Sequence, residues 1–361
     1  AKLTIKNNGN IGIGTTTPNN LLQVFDLINF NNTDYNTNLG YQAGKNLVSG
    51  AQYNTNLGYQ AGNSANNTTA DSNTAIGYQA LYSNISGREN TAIGATSLYS
   101  NISGTYNTAN GYRSLYYNTG SYNTANGYEA LYLSTSPNSN TAIGSGSLRS
   151  NTTGANNTAV GYGSLGTNFI GASNTAIGAN AGVSATDLSN ITAIGNSATV
   201  DVSNKVRIGN TAVTSIGGQV AWSNFSDGRL KENIQNYIHG LDFILKLRPV
   251  SFTFKTDETK KMHSGFIAQE VESTGIPFYG IEKPATEKSY YSLTYSEFVM
   301  PLVNAVKELA IKIDAIISHN NKQDEYIEII KKEINELKKD NENLKSKNEN
   351  LESRVKIIEN R

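Results

Sequence analysis

The sequence predicts a mainly β N-terminal part, a β-roll or β-solenoid of about 17-residue repeats, followed by an α+β C-terminal domain that ends in a long coiled-coil helix. Three observations carry this expectation. A short motif closing on glycine recurs at near-constant spacing, charge rises abruptly after residue 225, and an apolar heptad runs from Pro301 to the end.

The repeat decides the front part. NTAIG begins at Asn73, and its variants close at Gly40, Gly58, Gly77, Gly94, Gly111, Gly127, Gly144, Gly161, Gly178 and Gly195, with a last RIG at Gly209. The steps between them are 18, 19, 17, 17, 16, 17, 17, 17, 17 and 14 residues. Each unit reads as a short strand (Thr-Ala-Ile), a glycine, a second short stretch such as Tyr78-Gln79-Ala80-Leu81, and a polar turn such as Ser83-Asn84-Ile85-Ser86-Gly87. Two short strands and two turns make one solenoid coil. A helical reading fails, because Asn, Thr and Gly are poor helix formers and no 3.6-residue period is present. With Ala, Ile and Leu as its apolar content, one coil buries little, so stacked coils and associated chains must complete the core.

Charge marks the boundary. Residues 1–225 hold 8 of the 29 basic and 7 of the 29 acidic side chains, and His239, His263 and His319 all come later. General acid–base catalysis needs convergent titratable groups, which the front part lacks. With zero net charge there is no basic footprint for nucleic acid or an anionic membrane. The absence of Cys excludes disulfide scaffolds, zinc fingers and thiol catalysis. No cofactor and no metal are expected. No apolar run is long enough for a membrane span, and AKLTIKNNGNIGIG has no signal-peptide core.

The NTAIG-type units resemble the head repeats of trimeric autotransporter adhesins, which implies left-handed parallel β-rolls assembled as trimers, although that family's repeat is usually shorter. Gly9-Asn10-Ile11-Gly12-Ile13-Gly14-Thr15-Thr16-Thr17-Pro18 resembles a segment common in phage tail-fibre proteins. Fifteen of the 21 Tyr lie in the front part; six follow the repeat glycine (Tyr41, Tyr59, Tyr78, Tyr112, Tyr128, Tyr162) and four the repeat leucine (Tyr82, Tyr99, Tyr116, Tyr132). Such a ladder suits stacking on sugars, or simple packing of ring on ring between coils. The Asn84-Ile85-Ser86 triplet matches a glycosylation sequon, which a composition rich in Asn, Ser and Thr generates unaided.

After Trp222 come Ser226-Asp227-Gly228-Arg229-Leu230-Lys231-Glu232-Asn233-Ile234, Leu247-Arg248-Pro249-Val250-Ser251-Phe252, Ser264-Gly265-Phe266-Ile267-Ala268-Gln269-Glu270-Val271, and Tyr295 before a long helix. A serine hydroxyl becomes a nucleophile when a base takes its proton, and a lysine is such a base once burial lowers its pKa. Residues five apart do not share a helix face, so a turn at Asp227-Gly228 is expected before a helix near Leu230. This order of motifs closely resembles the C-terminal intramolecular chaperone auto-processing domain of phage tail fibres and tailspikes, over about residues 226–320. The resemblance implies Ser226 as nucleophile, Lys231 as base and Phe225–Ser226 as the scissile bond. His263 is a possible accessory acid–base group, or an ordinary structural histidine. Gln269 and Glu270 point in different directions and are expected to fix backbone and subunit contacts.

From Val299 the first seam position holds Val299, Val306, Ile313, Asn320, Ile327, Ile334, Asn341, Asn348 and Val355; the second holds Leu302, Leu309, Ile316, Gln323, Ile330, Leu337, Leu344, Leu351 and Ile358. A strict seven-residue repeat means a left-handed coiled coil. Pro301 suits the first turn, and Asn320, Gln323, Asn341 and Asn348 would set register at a cost in stability. These residues leave strand number open; the trimer follows from the resemblance.

The expected organisation is a lead-in segment at 1–30, a repeat shaft or head at 31–225, an auto-processing chaperone domain at 226–300 and a trimeric coiled coil at 301–361. The expected function is a homotrimeric viral fibre, assembled in the host cytoplasm and carried on the virion for host attachment, with a cell-surface glycan or protein as receptor. Its C-terminal domain would align three chains and cut itself off. A bacterial trimeric surface adhesin with a non-cleaving chaperone is the alternative, and would call for a signal peptide and a membrane β-barrel. A membrane-bound transcription factor would need a basic DNA-binding domain and a span. A glycan-degrading fibre would need paired carboxylates at glycosidase separation.

Overall fold

The computed structural model describes residues 2–18, 22–24, 28–31, 34–63, 70–213, 215–219, 223–257, 259–285 and 289–359; Trp222 lies outside them. The chain divides into two compact units, one of residues 1–221, 254–260 and 285–289, the other of 222–253, 261–284 and 290–361.

The first unit is a parallel β-solenoid. Leu3–Ile5 pairs antiparallel with Ile11–Ile13, and the sheet continues through Leu22–Val24 and Ile28–Asn31 to Asn36–Leu39. From there each repeat adds one parallel strand in exact register, Thr opposite Thr, from Thr37 and Thr55 through Thr175 and Thr192 to Val206. Alternation along a three-residue strand points its middle residue inward. Ala75, Ala92, Ala109, Ala125, Ala142, Ala159, Ala176 and Ala193 are all fully buried there. The third residue points outward, so Ile93, Ile143, Ile177 and Ile194 form an exposed stripe, interrupted by Asn110 and Asn126.

The second stretch of each unit is mostly not the strand that the sequence suggested. A paired strand forms there only at Gly182–Val183 and Thr199–Val200 among the described residues. Elsewhere two residues turn left-handed within one coil, as at Gln79 (φ 49°) and Leu81 (φ 52°), which breaks the extended backbone. The column Leu81, Leu98, Leu115, Leu131, Leu148, Leu165 repeats this conformation at φ 48–52°. Left-handed leucines are strained. Burial of every one of these side chains, together with inter-coil bonds such as Leu81 N to Ser97 O at 2.9 Å, offsets that cost.

The interior is also more polar than Ala, Ile and Leu alone. The Asn opening the units from Asn36 to Asn174 is buried and joins a continuous ladder, which ends where Ile191 takes the position. Asn107 Nδ2 donates to Asn90 Oδ1 (3.1 Å) and to Gly120 O (2.9 Å), while its Oδ1 accepts from Asn123 N (3.0 Å). A second ladder runs through the turns, where Asn101 Nδ2 donates to Asn84 Oδ1 at 2.9 Å and to Gly104 O at 3.0 Å. Asn84 is thus an interior rung, 1% exposed, rather than a surface glycosylation acceptor. The tyrosines do stack on one another: Tyr41–Tyr59–Tyr78 at 5.5 and 5.3 Å between ring centroids, and Tyr82–Tyr99–Tyr116 at 5.2 and 5.0 Å.

The second unit is small and mixed. It holds a short helix α1 (Leu241–Ile244), a hairpin of Val250–Phe252 with His263–Gly265, a helix α2 (Ala268–Ser273), a two-stranded pairing of Ile281–Glu282 with Ser292–Leu293, and the 61-residue helix α3 (Val299–Glu359). At about 1.5 Å per residue α3 is roughly 90 Å long.

Candidate functional site

The site begins with a single tight turn. Asp227 caps a 3-10 helix at Gly228–Leu230: its Oδ1 accepts from Arg229 N at 2.9 Å, and its Oδ2 pairs with the Arg229 guanidinium at 2.6 Å. That guanidinium, and then the backbone N–H, hold the Asp227 carboxyl below the usual carboxylate range. The turn reverses the chain, and Lys231, back in extended conformation, donates from Nζ to Ser226 Oγ at 2.7 Å. The expected turn therefore joins the two residues named as nucleophile and base. Sequence reasoning did not anticipate the Asp227–Arg229 clasp, although both residues stand inside the motif.

Phe225 is 97% exposed, and Ser226, Lys231, Leu230 and Ile234 are exposed as well. The segment is tied down at its far end, where Asn304 Nδ2 donates to Tyr237 O at 2.6 Å and to His239 O at 3.2 Å. One turn further along α3, Glu308 accepts from Leu241 N at 3.3 Å. Pro301, Asn304, Ala305 and Glu308 thus form the inward face of α3, with Pro301 and Ala305 buried. Its other face leaves Leu302, Val306, Leu309, Ile313 and Ile316 exposed, and the rest of the apolar seam is exposed to Ile358.

The other motifs interlock at this end of the helix. Arg248 and Glu270 form a forked ion pair, with Arg248 Nε to Glu270 Oε2 at 3.0 Å, which lowers the Glu270 pKa. Phe266 N donates to Tyr295 Oη at 3.0 Å, and a Cβ at Gly265 would run into that same hydroxyl. Behind them Phe243, fully buried, packs with Phe278 at 5.2 Å and Phe298 at 6.2 Å between centroids, and Phe266 meets Phe298 at 5.0 Å. His263 sits in the hairpin opposite Phe252, with the two rings stacked at 5.9 Å. Glu270 is engaged with Arg248 within the chain, a partner that the sequence did not reveal.

Among the described residues no group of three or more His, Asp or Glu is placed to hold a metal ion, and no helix is long and apolar enough to cross a membrane.

Residues 226–280 match the family model described as chaperone of endosialidase, Peptidase S74. No curated protein and no solved structure matches the chain. The matched span opens on Ser226 and takes in Lys231, the hairpin and α2. A domain of this kind behind a β-solenoid fits a tail-fibre-like protein and supports the role of a trimerisation chaperone.

Proposed function

We propose that the chain is a phage-type, homotrimeric fibre protein for host attachment, whose C-terminal domain aligns three chains and then releases itself by cleavage between Phe225 and Ser226. The observation that carries this reading is the 2.7 Å contact of Lys231 Nζ with Ser226 Oγ at the first residue of the chaperone span. In the reaction, neutral Lys231 takes the Ser226 hydroxyl proton, and Oγ attacks the carbonyl carbon of Phe225. The peptide nitrogen of Ser226 leaves with a proton, the acyl group passes to Oγ as an ester, and water hydrolyses the ester to free residues 1–225.

A lysine acts as such a base only when shielded from water, and Ser226 and Lys231 are exposed in a single chain. Assembly therefore switches the chemistry on. The apolar seam of α3 and the exposed isoleucine stripe of the solenoid are the surfaces that parallel chains would bury. Long-range β structure nucleates slowly and aggregates on the way, whereas a coiled coil zips locally and sets register. Removing the template then leaves the fibre without the route by which it folded. In this reading residues 1–30 are a lead-in, 31–225 the shaft or head, 226–300 the chaperone, and 301–361 the coiled coil. Intact mass of the assembled protein under denaturing conditions is the test: fragments 1–225 and 226–361 support the reading. A trimer that stays uncut is instead a non-cleaving chaperone, as on a bacterial trimeric adhesin-like protein.

A further inference from the structure

Two side-chain ladders of the solenoid stop at the same coil. In the column after the repeat glycine, Tyr41, Tyr59 and Tyr78 stack in sequence, then Ala95 replaces the ring, and Tyr112 and Tyr128 resume at 5.5 Å. In the next column Gln60 Nε2 donates to Gln42 Oε1 at 2.9 Å and Gln79 Nε2 to Gln60 Oε1 at 2.8 Å, and Thr96 ends the run. Each amide in this ladder points its nitrogen to the preceding coil, which turns its oxygen toward the following one. Gln79 Oε1 is therefore directed at the coil of Ala95, and no donor meets it among the described residues.

The missing rung has the size of one ring. Two steps of the sheet spacing separate the coils of Tyr78 and Tyr112 by roughly 10 Å. A ring midway stands about 5 Å from each tyrosine, inside the range for stacked rings. Tyr78 is 51% exposed and Tyr112 41% exposed, as the stacked rings of the column are, so the column stands at the solvent surface. Arg113, beside Tyr112, holds its guanidinium 5.0 Å from the Tyr112 ring centroid and reaches Glu129 of the next coil at 3.7 Å. The column breaks again at Ser145, but there the neighbouring acceptor, Glu129, is already held by Arg149 at 2.8 Å.

We infer that the gap at Ala95 is a binding slot for a single pyranose residue of a glycan, its two C–H faces against Tyr78 and Tyr112 and a rim hydroxyl donating to Gln79 Oε1. The two apolar walls, the one-ring width and the open acceptor at the edge together select a flat ring with hydroxyl donors around it. The slot rests on the reading of the solenoid as an attachment fibre for its ligand class, and on the two ladders for its place.

The test is saturation-transfer NMR on the full-length protein with maltohexaose, cellohexaose and chitohexaose, with size-exclusion chromatography and intact mass on the same sample. At least one oligosaccharide is expected to receive saturation. Ala95→Tyr combined with Thr96→Gln completes both ladders, a rung that the preceding coils already accommodate, and should weaken binding at least tenfold while the protein assembles as before. Binding unchanged in that variant, or no transfer to any of the three probes, would overturn the slot. Assembly and cleavage are read separately, so a trimeric, cut protein without transfer loses the slot alone, whereas transfer to an uncut monomer keeps the slot and removes the chaperone reading.

Discussion

Lys231 Nζ lies 2.7 Å from Ser226 Oγ across one 3-10 turn, and the Asp227 carboxylate that caps the turn is itself clasped by Arg229. The pairing is local: the six residues from Ser226 to Lys231 make it. Ser226→Ala and Lys231→Ala should both leave a full-length chain where the wild type yields 1–225 and 226–361. Asp227→Ala loses the cap of the turn and should slow cleavage several-fold without abolishing it. Time-resolved intact mass separates these outcomes, and cleavage in both dyad variants would remove the assignment.

The asparagine ladder gives the solenoid a dependence on single amides. Asn107→Ala removes the acceptor of Asn123 N and both bonds donated by Asn107 Nδ2, while Asn90 Oδ1 still accepts from the backbone N of residue 107 and Gly120 O from Asn118 Nδ2. One unsatisfied buried donor costs about 1–3 kcal/mol, so the variant should lose an amount in that range. Urea unfolding followed by circular dichroism measures it, and a loss under about 1 kcal/mol would mean that water or a shifted backbone replaces the amide.

What the sequence made legible follows from what is periodic. The 17-residue step fixed the coil and the place of Gly94 or Gly161, and the seven-residue step fixed the exposed seam from Val299 to Ile358. The Asn of NTAIG was hidden by its chemistry, because asparagine reads as a turn residue and only its strict recurrence hinted at an interior ladder. The left-handed leucines were hidden for the opposite reason: Tyr-Gln-Ala-Leu looks extended, and stacking overrides local preference. Around the site, the turn between Ser226 and Lys231 was readable from spacing. The Arg248–Glu270 and Phe266–Tyr295 contacts were not, since they close loops of 22 and 29 residues.

Gly94 tests the tightness of the stack. Its φ is +124°, and a Cβ there would stand 2.6 Å from Gly111 O in the next coil. Gly94→Ala combines backbone strain with a clash against main chain, together about 3 kcal/mol or more. The expected result is a sharp loss of soluble, folded protein, read by sedimentation and circular dichroism. Normal yield with an unchanged melting temperature would refute the close approach.

Glu270 carries a pH prediction for the chaperone unit. Arg248 depresses its pKa in the folded state through hydrogen bonding and charge. A depressed carboxylate contributes stability above its unfolded pKa and loses it as pH falls through the folded value. In an uncleavable Ser226→Ala background the melting temperature should therefore decline on acidification below the ordinary glutamate range. Glu270→Gln should be less stable near neutral pH and show a shallower decline. The pair is exposed, so the difference is small; identical pH profiles for the two proteins would exclude the contribution.

The seam and the cleavage chemistry are coupled if the reading of the site is right. Leu309 and Ile316 are exposed on a single chain, whereas Asn304 and Glu308 bond the segment before α1 and the start of α1. Replacing both with Asp keeps Asn304 and Glu308 and puts charges where three helices would exclude water, at a cost of several kcal/mol per site. A marginally stable assembly cannot absorb that. Ser226 and Lys231 remain 2.7 Å apart by their own turn, yet they stay exposed to water, without the burial that activates such a base. The double variant should therefore run as a monomer on size exclusion and remain uncut by intact mass. Efficient self-cleavage by a demonstrated monomer would show that one chain completes the dyad unaided and that assembly does not gate it.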